Sequence, residues 1–177
     1  MTSDHHKNIM GKQPHVLAIA YPAQGHVGPL MKLSQQIADH GIKLTFVNAE
    51  SIHNLVLAAL SENKRKEQHQ IIEIVSIPDG LDPGDDLKDK RKISEPMLRV
   101  MPSKLEDLIR KINNKSEDEK VTFVIADATV AWALEVAQKM RIKGAMFWPT
   151  AVGGFALGLH IPKLIEAGIL DHSGKSK

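Results

Sequence analysis

The chain of 177 residues contains no cysteine. That excludes disulfides and thiolate metal sites, and it suits a reducing compartment. Aromatic residues are scarce, at 4%, so no series of stacking rings lies between basic residues as nucleic-acid binding favours. Neither sign of charge dominates: 23 Lys+Arg against 21 Asp+Glu give a formal net charge of +2, and no basic face is implied. No apolar run approaches the roughly 20 residues of a bilayer-spanning helix. The opening MTSDHHKNIMGKQ lacks the apolar core of a secretory signal. The nine histidines form no HExxH pair, and His5 and His6 fall in the polar opening, so no metal is expected. There is no GxSxG turn for an α/β-hydrolase. Residues 168–176, GILDHSGKS, imitate a phosphate-binding loop. They carry one residue too many between the glycines, follow a helix, and have no helix after them. The expectation is a soluble, cytoplasmic chain without nucleic-acid or membrane partners.

What is present is a βα rhythm. Hydrophobic residues make up 42% of the chain, enough for one domain with a core. Residues 16–21 (VLAIAY) form a continuous apolar run, as a strand buried on both faces requires. Pro22 and Gly25 end it. Leu30, Leu33, Ile37 and Ala38 recur at helical spacing, and Gly41 stands where a helix C-cap belongs. Further strands are expected at 43–47, 71–77, 121–126 and 144–148, with helices at 52–60, 93–112, 129–140 and 151–167. Pro102 should break or kink the helix at 93–112. The segment 78–92 (PDGLDPGDDLKDKRK) reads as a surface loop. Strands alternating with helices indicate an α/β, Rossmann-like parallel sheet with helices on both faces. Residues 14–170 are read as one domain, between a disordered tail at 1–13 and a mobile one at 171–177.

Two residues stand where such a sheet does its chemistry. His26 sits in the turn between the first strand and its helix, flanked by Gly25 and Gly28. Glycine lets a ligand approach the backbone closely, and an imidazole there can take a proton near neutral pH. A solvated turn histidine is the plain alternative. Asp127 ends the fourth strand, in IAD. In a doubly wound sheet the first and fourth strands are neighbours across the topological switch point, so His26 and Asp127 can meet. A carboxylate behind an imidazole fixes its tautomer and stabilises the imidazolium. Asp127 is equally placed to N-cap the following helix, and the two roles are compatible.

The run YPAQGHVGPLMKLSQQIADHGIKLTFVNAE, then IADATVAWALEVAQKM and AMFWPTAVGGFALGLHIPKLIEAGIL, resembles in order and spacing the N-terminal part of plant family-one UDP-glycosyltransferases. The resemblance covers nearly the whole chain after the first dozen residues. It implies an incomplete N-terminal half of a GT-B fold, the acceptor-binding domain. In that family the histidine matching His26 deprotonates the acceptor hydroxyl, and the aspartate matching Asp127 partners it. Gly25 would bring backbone close to the donor sugar. The family often has a hydroxyl residue directly after its FW pair, whereas here Pro149 intervenes and Thr150 follows one place later. Met97, Met101 and Trp148 match positions that line the acceptor pocket, although each suits ordinary core packing as well.

The activity implied is inverting transfer from a UDP-sugar, UDP-glucose by family habit, to a hydroxyl of a small lipophilic metabolite. No cofactor is implied. The donor site belongs to a C-terminal domain, so a complementary chain or fragment is the expected partner and this chain alone is expected to be inactive. A non-catalytic Rossmann-like module that binds a small molecule or a nucleotide is the alternative.

Overall fold

The computed structural model describes residues 13–59, 72–82, 85, 89–171, 173 and 175. Most of the expected terminal tails, the end of the helix at 52–60 and positions 172, 174 and 176 of the imitation phosphate loop therefore lie outside the described residues. The strands are β1 (His15–Ile19), β2 (Lys43–Ala49), β3 (Ile72–Ile77), β4 (Phe123–Asp127) and β5 (Lys143–Phe147). The helices are α1 (Gln24–Asp39), α2 (Glu50–Ala59), α3 (Lys90–Asn113), α4 (Trp132–Lys139) and α5 (Val152–Glu166). Single 3-10 turns occupy Glu117–Glu119 and Ala128–Val130.

The strands form one parallel sheet in the order β3-β2-β1-β4-β5. β1 is its centre, with Ile19 level with Val47 on one side and with Ala126 on the other. Every residue of β1 is buried, as the unbroken apolar run requires of a strand covered on both faces. Alternation along the strands divides the core in two. Val16, Ala18, Leu44 and Phe46 pack beneath Leu30, Met31 and Ala38 of α1. Leu17, Ile19, Tyr21, Val47, Val124 and Ala126 meet α2, α3 and α4 on the opposite face. The chain proceeds from β1 to β3 in one direction, then returns past β1 to β4. Reversal of direction between β1 and β4 opens a crevice at their carboxyl ends.

Pro102 does not break α3, which runs unbroken through both Pro96 and Pro102. A proline inside a helix costs about 3 kcal/mol. Against that, Ile93, Met97, Met101, Leu105, Ile109 and Ile112 form a buried stripe at steps of three and four residues, each contributing roughly 1.5–3 kcal/mol. Tertiary burial outweighs the local penalty. The expected surface loop is also shorter than 78–92, since α3 begins at Lys90. Asp79 within it is buried, because its carboxylate accepts hydrogen bonds from Ser51 N–H at 2.9 Å and Leu81 N–H at 3.1 Å. Gly80 beside it has φ +77° and packs under Val100 of α3, so the turn needs both glycine's backbone freedom and its missing side chain.

By its contacts the chain divides into two compact units, Met1–Phe147 and Trp148–Lys177. The first holds the sheet. The second is built on α5, which buries none of its side chains. Among the described residues no helix is long and apolar enough to cross a membrane.

Candidate active site

His26 is the third residue of α1, and its N–H donates to Ala23 O at 2.9 Å. That turn brings the imidazole to the carboxyl end of the sheet, over β4. Its Nδ1 lies 2.9 Å from Asp127 Oδ2. Because a carboxylate oxygen accepts, Nδ1 carries the proton and donates it to that bond. Nε2 is then left with its lone pair, and no described residue hydrogen-bonds it. The His26 side chain is 22% exposed, whereas Asp127 is fully buried. The arrangement is an imidazole with one nitrogen held from behind and the other open to solvent.

Asp127 serves two partners at once. Oδ1 accepts from Thr129 N–H at 2.8 Å, capping the 3-10 turn that leads into α4, while Oδ2 holds His26. A carboxylate with both oxygens engaged cannot rotate, so the imidazole inherits its orientation from the β4–α4 junction. The capping and pairing roles read from the sequence therefore coexist in one side chain.

The remaining sequence candidates take different places. Gly25 is exposed, and a side chain added there would meet no atom within 4 Å; nothing in the described chain requires glycine at this position. Met97 and Met101 are buried at 3% and 0% exposure in the core cluster that also holds Tyr21. Trp148 and Thr150 belong to the second unit. There Trp148 is 39% exposed and its ring lies 5.2 Å from that of Phe155.

Two residues near the carboxyl ends of the strands escaped sequence reading. Tyr21, two residues beyond β1, places its ring 5.2 Å from the His26 ring at an interplanar angle of 60°. Burial pushes its phenol pKa up, and a hydrogen bond with the Ser94 side chain opposes the shift. As the last letter of an apolar strand run it looked like core, which it also is. Asn48, near the end of β2, is fully buried with both amide atoms lacking a partner among the described residues. Its only sequence signal is a polar residue inside a buried strand.

His15 shows what a structural histidine looks like in the same sheet. It begins β1, at the end of the strand remote from His26, and is 1% exposed. Nδ1–H donates to Glu119 O at 2.6 Å, and Nε2 accepts from the Thr45 hydroxyl at 2.8 Å. Burial lowers its pKa from the ordinary 6.5, against the raising effect of the Glu119 carbonyl. Both nitrogens are used, so none remains for a substrate.

No family model matches the chain. Among curated proteins it is 40% identical over 174 residues to UDP-glycosyltransferase 83A1 of Arabidopsis thaliana, covering 97% of this chain and 38% of that protein. It is 32% identical over 162 residues to 7-deoxyloganetin glucosyltransferase of Catharanthus roseus, covering 89% and 33%. Among solved structures it superposes with a TM-score of 0.71 on a UDP-glucose: anthocyanidin 3-O-glucosyltransferase in complex with UDP. That pair is 23% identical and covers 88% of this chain and 34% of the other. A UDP-glucosyltransferase from Polygonum tinctorium gives a TM-score of 0.66 at 22% identity, covering 91% and 36%. The chain is thus a relative of the plant UDP-glycosyltransferases over almost all of its own length, spans about a third of theirs, and has the α/β architecture of part of a GT-B enzyme.

Proposed function

We propose that this chain forms the acceptor-binding and catalytic-base portion of an inverting UDP-sugar glycosyltransferase. It acts on a hydroxyl of a small lipophilic metabolite and needs a C-terminal part to hold the donor. The observation that carries the reading is the 2.9 Å His26–Asp127 contact, which leaves Nε2 as a base facing outward at the sheet's switch point. UDP-glucose is the donor proposed, by analogy with relatives whose names specify glucosyl transfer.

The chemistry is one displacement. Nε2 of His26 takes the proton of the acceptor hydroxyl while that oxygen attacks the anomeric carbon of the sugar. The bond from the anomeric carbon to the phosphate oxygen breaks on the opposite side, and UDP leaves with the electron pair. His26 becomes an imidazolium whose charge the buried Asp127 carboxylate, paired with no other cation among the described residues, is placed to stabilise. In the first unit Gly25 is the proposed donor-sugar contact and Met97 and Met101 the proposed acceptor contacts; in the second, Thr150 and Trp148 are proposed for those same two roles. The buried methionines would serve from beneath the pocket rather than from its surface.

The test is transfer from radiolabelled UDP-glucose to a panel of hydroxylated lipophilic acceptors, with this chain joined to the donor-binding part of a relative. Activity is expected in the joined protein and not in the 177-residue chain by itself. His26→Ala should remove at least about 99% of turnover, since general-base catalysis is commonly worth 10²–10⁴-fold. Undiminished transfer by that variant would sink the assignment.

A further inference from the structure

We infer that Tyr21 is a positioning residue for His26, holding the imidazole ring and linking its orientation to α3 through Ser94. The inference rests on the reading of His26 as the base. Asp127 fixes one atom of that ring, Nδ1, at 2.9 Å. One hydrogen bond at one atom still lets the ring tilt through its two side-chain torsions, and with it the direction of the Nε2 lone pair. The Tyr21 ring removes this freedom. Its centroid is 5.2 Å from the imidazole at an interplanar angle of 60°, within the edge-to-face geometry that aromatic pairs prefer.

Tyr21 is itself immobile. It is 4% exposed and packed in the core cluster with Ile93 and Met97 of α3. Its hydroxyl is tied to the side chain of Ser94 on the same helix. The imidazole is therefore held from two elements: Asp127 sets where Nδ1 sits, and Tyr21 sets the plane in which Nε2 points. α3 also carries Met97 and Met101, the proposed acceptor wall. A shift of that helix would move the wall and the base together. Tyr21 takes no proton itself, since burial raises its phenol pKa and keeps it protonated.

Two measurements test this. In the full chain with ¹⁵N-labelled histidine, long-range ¹H–¹⁵N correlation reads which His26 nitrogen is protonated. The chain is expected to show one tautomer, protonated at Nδ1. Tyr21→Phe should keep it, and Tyr21→Leu should give a mixture. In the joined transferase, Tyr21→Leu should lower kcat about tenfold with KM for UDP-glucose unchanged, as a small misplacement of a catalytic group does. The same substitution in a His26→Ala background should cost nothing further, because a residue acting only through His26 has nothing left to position.

A full tenfold loss in that background, or an unchanged tautomer and kcat in Tyr21→Leu, overturns the proposal. Ser94→Ala leaves the core packing in place and should cost about threefold in kcat, the scale of one lost exposed hydrogen bond. It carries the test should Tyr21→Leu not fold, and an unchanged kcat then overturns the proposal. Loss of the single tautomer in Tyr21→Leu without transfer by any joined protein would refute the transferase reading and leave the positioning role standing.

Discussion

Replacing Asp127 by asparagine changes one atom and should disable the base. Oδ1 receives Thr129 N–H at 2.8 Å and Oδ2 receives His26 Nδ1–H at 2.9 Å, so the carboxylate accepts on both sides. Asparagine has one oxygen and one NH₂ group. If the oxygen stays with Thr129, the NH₂ faces Nδ1 and donates to it. Nδ1 must then give up its proton, which moves to Nε2, and Nε2 can no longer accept one from the acceptor hydroxyl. If the amide flips, NH₂ opposes the Thr129 N–H and a buried donor goes unpaired, at about 1–3 kcal/mol. The first orientation is favoured, and it carries the wrong tautomer. In a hydrolase triad the corresponding change lowers kcat by about 10⁴. With the hydroxyl that gives up its proton here belonging to the acceptor substrate rather than to a covalent nucleophile of the enzyme, about 10³ is expected, equal to roughly 4 kcal/mol of barrier. The melting temperature should move by less than about 3 °C, since the cap and the volume are kept. Single-turnover transfer by the joined enzyme measures the first figure, and thermal denaturation of the chain the second. Turnover within threefold of the parent would refute the orientation argument, and so would His26 remaining protonated at Nδ1 by NMR.

Two further outcomes concern stability. His15 has a folded-state pKa below its ordinary 6.5, chiefly through burial, so the unfolded chain binds a proton that the folded chain resists. Its contribution is intact above pH 6.5 and is lost as pH falls beneath that value towards the folded pKa. Melting temperature measured from pH 7.5 to pH 5 should decline, and His15→Asn, which keeps a donor for the Glu119 carbonyl, should flatten that decline; equal slopes would refute the assignment. Asn48 holds two buried amide atoms without a partner among the described residues, so Asn48→Leu should stabilise the chain by about 1–2 kcal/mol in urea denaturation. A loss of stability would show that the amide has a partner or that the space does not admit a branched side chain.

Sequence reading reached the sheet and the dyad for the same reason. Buried parallel strands leave unbroken apolar runs such as VLAIAY, and chain order then places the ends of the first and fourth strands together. His26 and Asp127 needed only that topology to be brought into register. What stayed hidden depends on side-chain packing across elements. The burial that lets α3 continue through Pro102 arises between that helix and the sheet, and no local propensity encodes it. Tyr21 was invisible as a partner of His26 because a tyrosine closing a buried run carries the same pattern whether or not its ring meets an imidazole. Asp79 lay in a stretch whose composition is that of a solvated loop, yet its carboxylate ties the start of α2 to the end of β3.

The partners His26 and Asp127 are separated by 101 residues of chain, and this bears on how the molecule comes into being. Contacts of such long sequence separation close late, after local helices and pairings nearer in the chain, such as β1 with β2, have formed. During synthesis the imidazole emerges, and β1 can pair with β2, well before the carboxylate exists. A nascent or partly folded chain thus holds a histidine without its orienting partner, and the proposed base is oriented only when β4 docks beside β1. The hydrogen bond between them is in effect a completion signal for the domain: any lesion that detaches β4 takes from the imidazole the carboxylate that orients it.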